Sequence, residues 1–150
     1  MIVRRCTVAE LEAAPNLAEV LDAYARESSM PELGRPNPQV ATYRALEASG
    51  MFHPIAAFED EKLVGFILPI VVALPHYGVV AATIESFFVL KAVRKQGVGL
   101  RLLRFAERTA RDLGAKALML SAPVGGALAR MLAIRKSYRH SNDVYVKALA

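Results

Sequence analysis

The chain has 150 residues, 54% of them apolar and 22% charged, a composition that excludes a disordered or low-complexity protein. At this length a single domain buries roughly 70% of the surface its unfolded chain exposes, so a core forms without disulfide or metal staples. The formal charge of +5 joins two unlike parts: residues 1–90 hold 6 Lys/Arg against 11 Asp/Glu, and residues 91–150 hold 13 against 3, which points to two surfaces that meet opposite charges.

Residues 2–7 read as a short strand, and Cys6 within it as a small core residue. As the only cysteine it forms no internal disulfide, which fits a reducing, cytoplasmic setting. The first residues lack the charged-then-apolar pattern of a secretory leader. Thr7 and Glu10 have capping-box spacing, so a helix starts there. Its apolar stripe runs through Leu11, Leu17, Val20, Leu21 and Tyr24, with Pro15 breaking or restarting it. Residues 28–37, rich in Ser, Pro and Gly, form a loop. Pro38 then suits the first turn of a second helix, with Val40, Tyr43 and Leu46 inside and Gly50 ending it.

A β meander is predicted next: strands over 53–58, 63–74 and 79–90, joined by the charged turn 59–62 and the turn Pro75-His76-Tyr77-Gly78. The 22 uncharged residues between Lys62 and Glu85 are interrupted by Gly65, Pro69, Pro75 and Gly78, so they make two strands and no membrane span. From Val98 the period becomes 3.6. Val98, Leu102, Phe105, Ala106, Thr109, Ala110 and Leu113 share one helical face, Arg101, Arg104, Arg108 and Arg111 the other, and Gly114 closes the helix. A buried strand over 117–121, a short helix over 126–136 and alternating residues over 143–149 complete the order β-α-α-β-β-β-α-β-α-β. No repeat or linker interrupts it, so residues 1–150 are expected to form one α/β domain.

The chemistry is concentrated in Val89-Leu90-Lys91-Ala92-Val93-Arg94-Lys95-Gln96-Gly97-Val98-Gly99-Leu100, where a strand ends and a helix begins. Two glycines one residue apart let backbone amides approach a ligand, and a helix N-terminus leaves its first amides free with a partial positive charge. Arg94 and Lys95 add charge, so the segment reads as an anion site, best suited to a diphosphate. Leu102 stands where a dinucleotide fingerprint needs its third glycine, and no Gly-Lys-Ser/Thr of a Walker-type loop occurs.

Arg94-Lys95-Gln96-Gly97-Val98-Gly99 resembles the Arg/Gln-x-x-Gly-x-Gly/Ala acyl-CoA loop of the GNAT superfamily of N-acetyltransferases, and the element order resembles that fold over nearly the whole chain. The resemblance implies a mixed, mostly antiparallel central sheet flanked by helices, with acetyl-CoA as cosubstrate and no metal. It implies a diphosphate cradled by amides from Gln96 to Leu100, with Arg94 and Lys95 beside it. It places pantetheine along the backbone of Phe88, Val89 and Leu90. It also implies direct attack of a primary amine on the thioester, without an acyl-enzyme.

Such a reaction benefits from a general base. Glu85 is the only carboxylate of the predicted 63–90 hairpin; by strand parity it shares a face with Phe87 and Val89, and burial there would raise its pKa towards neutrality. It is the candidate base, with the alternative of a half-buried structural or substrate-binding carboxylate. His53 and His76 are weaker candidates. The C-terminal part departs from the family pattern Asn-x-x-Ala-x-x-Leu-Tyr-x-x-x-Gly-Phe. Ala129 and Leu132 match, but Gly126 replaces the Asn, Ser137 the Gly, Tyr138 the Phe, and Ala133 the Tyr that commonly acts as general acid. Ser121, Tyr138 or water would have to substitute, or the thiolate would leave unassisted.

The acceptor is expected across the sheet from the cofactor, bordered by the two N-terminal helices and the 28–37 loop. An acidic rim there, including Glu27, Glu32 and Glu59-Asp60-Glu61, would attract a polyamine, an aminoglycoside or a lysine side chain; a solvated helix face is the alternative. Two other functions compete: an acyl-CoA-binding domain without turnover, and a basic nucleic-acid-binding protein. Against the latter, only Phe105 interrupts the basic stretch from Lys91 to Lys116, and it lies on the apolar face. No membrane or nucleic-acid partner is expected; pairing of a sheet edge and a final strand over 143–149 would allow a homodimer.

Overall fold

The computed structural model describes all 150 residues. β1 (Ile2–Arg5) leads into α1 (Val8–Glu12), whose capping box is complete: the Thr7 side chain accepts from the Glu10 amide, and Glu10 reaches back to the Thr7 amide. Pro15 separates this short helix from α2 (Leu17–Ser28), so the expected single stripe becomes two helices. Asn16 fixes the junction: its amide nitrogen donates to Leu63 O and its Oδ1 accepts from Leu63 N–H, both at 2.9 Å. α3 (Val40–Ala48) follows the loop and ends at Gly50, whose φ of +79° is a conformation that glycine alone adopts freely.

β2 (Ile55–Glu59), β3 (Lys62–Leu74) and β4 (Val79–Val89) form the meander, and Asp60 at φ +53° makes the tight turn between the first two. After a 3₁₀ turn over Lys91–Gln96 comes α4 (Val98–Asp112), then β5 (Leu118–Leu120) and α5 (Ala127–Ala133). The sheet runs β1-β2-β3-β4-β5, antiparallel except for the parallel β4–β5 pair. This is the expected mixed, mostly antiparallel sheet flanked by helices.

Strand alternation sends side chains into two layers. Ile55, Ala57, Ile67 and Val89 pack against Val98, Leu102, Leu103 and Ala106 of α4. Ala56, Phe58, Phe66 and Phe88 pack against Val8 and Val20 of α1 and α2. Gly65 lets β3, β4 and α4 approach closely, because a Cβ there would lie 2.9 Å from Phe88 O and 3.2 Å from Leu102 Cδ1.

Two C-terminal expectations are corrected. β5 is three residues long and only half-buried, with Met119 43% exposed, and it ends the sheet, paired to β4 alone. Residues 143–149 form no strand. The alternation of Val144 and Val146 specifies a face, but a strand exists only on a ladder partner, and residues 139–150 are all exposed.

Candidate functional site

β4 pairs with β3 along its length but with β5 only at Ala82–Ile84. From Glu85 to Val89 its other edge faces no strand, because β5 ends at Leu120 and the chain turns away through Pro123. That open edge runs into the 3₁₀ turn and then to Gly97, which caps α4 at φ +75°. No side chain caps α4, so the amides of its first turn receive no side-chain oxygen. Val98 is fully buried and holds the turn against the core, while Lys95, Gln96 and Gly97 are exposed. Gly99 is looser than its motif position implies: a Cβ there would meet Phe87 and Val89 at ordinary contact distances of 3.7 and 3.8 Å. The turn thus presents uncapped amides, a helix dipole and the free cation of Lys95, a fit for a diphosphate. Phe88 and Val89 are buried and Leu90 half-buried, so these three would offer backbone, not side chains, to a ligand on the open edge.

Arg94 behaves differently from the expectation of free charge. Its Nε donates to Val89 O at 2.8 Å and one terminal nitrogen donates to both carboxylate oxygens of Glu27, at 2.8 and 2.7 Å. The guanidinium lies 5.5 Å from the Phe88 ring centroid. It ties the end of α2 to the end of β4, because a guanidinium has donors enough to serve a carboxylate and a carbonyl at once while its cation rests by an aromatic ring.

Glu85 also departs from its predicted placement. Leu68 pairs with Ser86 and Pro69 with Ile84, so Glu85 is the extra residue of a bulge. Pro69 brings no N–H to the ladder, and bulges are where strands tolerate proline. The bulge reverses the parity: Phe87 and Val89 pack on the α4 side, whereas Glu85 meets Tyr43 of α3 on the opposite face. It is exposed, not buried. The Tyr43 hydroxyl donates to its Oε1 at 2.9 Å and the Ser86 hydroxyl to its Oε2 at 2.8 Å.

Two tyrosines complete this corner, and sequence reasoning placed both among core residues. The Tyr43 ring lies on Phe52, 5.1 Å between centroids, and burial, then the charge of Glu85, push its hydroxyl pKa upwards. Tyr24 packs edge-on against Phe66 and Phe88; burial and Glu85 raise its pKa too. The available signal was a tyrosine where phenylalanine would serve packing alone, since a buried phenol brings a polar handle. Glu85 and Tyr24 line an open cleft of about 560 Å³ with Ser28, Arg35, Asn37 and Gln39 from α2 and the loop after it. The 28–37 loop therefore borders a cleft with Glu85 in its wall.

The remaining candidates lie elsewhere or are already engaged. His53 is buried and sits 3.0 Å from an Arg5 terminal nitrogen through Nδ1; burial first, then the Arg5 charge, lowers its pKa. His76 is exposed in the β3–β4 turn, edge-on to Tyr77. The Tyr138 hydroxyl donates to Glu107 of α4 at 2.6 Å, and burial and that carboxylate raise its pKa. Ser121 and Ala133 are exposed, the latter at the end of α5. Burial pushes the Cys6 thiol up to about 12, which makes it a poor nucleophile. No cluster of His, Cys, Asp and Glu could hold a metal, and no helix is long and apolar enough to cross a membrane.

Of the expected acidic rim, Glu27 is neutralised by Arg94, whereas Glu32, Glu59, Asp60 and Glu61 form no ion pair; several other carboxylates of the N-terminal half are paired. Glu10 pairs with Arg4, Glu12 with Arg44, Asp22 with both Arg26 and Arg35, and Glu27 with Arg94. Glu47 accepts the Val8 N–H at 2.9 Å.

The fold is shared with known acetyltransferases. An aminoglycoside acetyltransferase from an uncultured soil metagenomic sample, in complex with sisomicin, is similar with a TM-score of 0.76 and 16% identity, covering 99% of this chain and 96% of that one. A ribosomal-protein-alanine N-acetyltransferase from Brucella melitensis biovar Abortus 2308 is similar with a TM-score of 0.70 and 20% identity, covering 97% and 96%. A transcriptional regulator from Bacillus halodurans C-125 is similar with a TM-score of 0.66 and 22% identity, covering 96% and 99%. No curated protein sequence matches this one. The profile of the Acetyltransferase (GNAT) family matches residues 17–131, more than half of the chain, and with the open edge of β4 leading into the Gly97 turn it places the protein: the chain belongs to the GNAT acetyltransferase family.

Proposed function

We propose that the protein is an acetyl-CoA-dependent N-acetyltransferase that acts on a primary amine bound in the cleft beside Glu85. One observation carries this reading: the strand edge left open from Glu85 to Val89 runs into an uncapped helix N-terminus at one end and meets a carboxylate in an open cleft at the other. Acetyl-CoA, when bound, supplies a thioester that a neutral amine can attack. The amides from Gln96 to Leu100, with Lys95 beside them, would hold the diphosphate. The backbone of Phe88, Val89 and Leu90 would take the pantetheine amides as an added strand takes its neighbour.

Glu85 would take up the amine proton, directly or through one water, since the cleft is open to solvent. Tyr43 and Ser86 hold both carboxylate oxygens, which fixes their direction before substrate arrives. The thiolate would leave with a proton from water: Ala133 offers no hydroxyl, and Tyr138 spends its own on Glu107. Cys6, a free thiol without a disulfide partner, fits a cytoplasmic protein, and the free edge of β5 would permit a homodimer.

Titration calorimetry with acetyl-CoA tests the loop, and thiol release over an amine panel tests turnover. Micromolar binding with release that needs an amine is expected; absence of acetyl-CoA binding would remove the reading. Glu85→Gln should lower kcat/KM by about 10²–10⁴-fold with acetyl-CoA affinity kept. The missing hydroxyl at Ala133 favours a second reading, acyl-CoA binding without turnover, which tight binding without release for any amine would support.

A further inference from the structure

We infer that the acceptor is a monoamine on an apolar body: its ammonium meets Glu85, and its hydrocarbon part enters a cavity between α1, α2, α3 and the sheet. The inference rests on the acetyltransferase reading and names the substrate class of that same site.

The cavity measures about 90 Å³, and 11 of its 14 lining residues are hydrophobic. Leu17 and Leu21 of α2, Val40 of α3, and Phe52, Phe66 and Leu68 of the sheet side are among the residues of its wall. Native interiors seldom leave apolar space of this size unfilled, and an apolar cavity does not recruit water to fill it. α3 covers the space without closing it: none of its residues is buried, and Val40 is 37% exposed.

Four of the cavity's lining residues carry polar groups, two of which turn to Glu85. They are the hydroxyls of Tyr24, Tyr43 and Ser86 and the carboxylate of Glu12. Glu12 is committed to Arg44. Tyr43 and Ser86 both donate to Glu85. Tyr24 lines the cavity and the open cleft alike, so the two spaces adjoin where Glu85 stands. A ligand that spans them meets a carboxylate at the mouth and hydrocarbon beyond it.

Charge narrows the class further. Glu85 is the only carboxylate that lines the cleft, and the other ionic group there is the cation Arg35, paired with Asp22. A polyamine or an aminoglycoside brings several ammonium groups, and this site offers one anion to receive them. Each surplus cation would lose water without gaining a partner.

The test compares ethylamine, n-butylamine and n-hexylamine with spermidine and kanamycin. Acetyl-CoA calorimetry tests the acetyltransferase reading alone, so failure there is separate. Amine binding, read as a shift in Tm of the protein without acetyl-CoA, tests the substrate class alone. Each added methylene should raise kcat/KM, and the affinity read from the Tm shift, by about fourfold until the cavity is full. Val40→Phe, at a position exposed enough to accept the larger ring, should cut the hexylamine-to-ethylamine ratio at least tenfold. Leu21→Phe serves the same purpose if that variant folds poorly. A response flat along the alkyl series, or a preference for spermidine or kanamycin in either measurement, would overturn the inference.

Discussion

The two glycines of the loop look alike in sequence and differ in the structure, which sets up a paired experiment. Gly97 caps α4 at φ +75°, and no atom stands within 4 Å of a Cβ placed there, so the obstacle to alanine is the backbone alone. A left-handed conformation costs an L-residue roughly 1–2 kcal/mol. For a domain of this size that predicts a fall in Tm of about 2–8 °C for Gly97→Ala. If the turn instead relaxes to a negative φ, the first-turn amides of α4 swing away and acetyl-CoA affinity falls with stability. Gly99 lies inside α4, where glycine costs about 1 kcal/mol relative to alanine. Its Cβ would meet only Phe87 at 3.7 Å and Val89 at 3.8 Å, ordinary contacts. Gly99→Ala should therefore raise Tm by about 1–4 °C and leave the acetyl-CoA dissociation constant within about twofold. Differential scanning fluorimetry and calorimetry on both variants provide the readout. An unchanged Tm and affinity in Gly97→Ala would refute the argument from the left-handed cap. Lost affinity in Gly99→Ala with a raised Tm would show that the ligand needs space the protein itself does not.

Three further outcomes are expected. Gly65→Ala forces a methyl to 2.9 Å from Phe88 O, so overpacking of about 1–3 kcal/mol should lower Tm by about 2–12 °C; an unchanged Tm would mean that α4 does not press on the sheet there. Glu27→Gln releases the Arg94 guanidinium beside the diphosphate turn, and since this pair is about one-third exposed its effect is small: acetyl-CoA should bind about two- to fivefold tighter at low salt, with the difference gone near ~1 M salt. Equal affinity at every salt concentration would place Arg94 outside the reach of the ligand. His53 titrates below its ordinary range when folded, so the unfolded chain binds more protons in that window; its contribution to stability is present above the ordinary histidine pKa and is lost as pH falls from there through the lowered folded value. Tm should drop between about pH 7 and pH 5.5, and less so in His53→Asn; parallel profiles would assign the acid sensitivity to other groups.

Local features were readable from residues alone. The Thr7–Glu10 box, the break at Pro15, the Gly50 stop, the Gly97 turn and the amphipathic α4 each depend on a few neighbours in the chain. What parity could not supply was the side on which Glu85 lies, because the bulge arises from how β3 and β4 pair; Pro69 in mid-strand was its one trace. The partners of Arg94 and Tyr43 were equally hidden, standing 67 and 42 residues away. The charge division proved real in sequence but less so in space, since Glu27 spends the acidity of one half on the guanidinium of the other. The alternation over 143–149 misled because it describes a face and says nothing of a neighbour to bond with.

The bulge has an evolutionary corollary. A residue that the ladder skips owes nothing to the pairing of its strand, so position 85 can change charge or size without moving the register of β4. The residues on either side are bound by that pairing and by the two packed layers. Selection can therefore rewrite what the cleft attracts one substitution at a time, while the strand edge and the glycine turn that precede and follow it stay as they are. Deleting the residue would likewise leave each neighbour in its layer, because Ile84 and Ser86 already pair with Pro69 and Leu68, and the strand would lose only the carboxylate it holds out to the cleft.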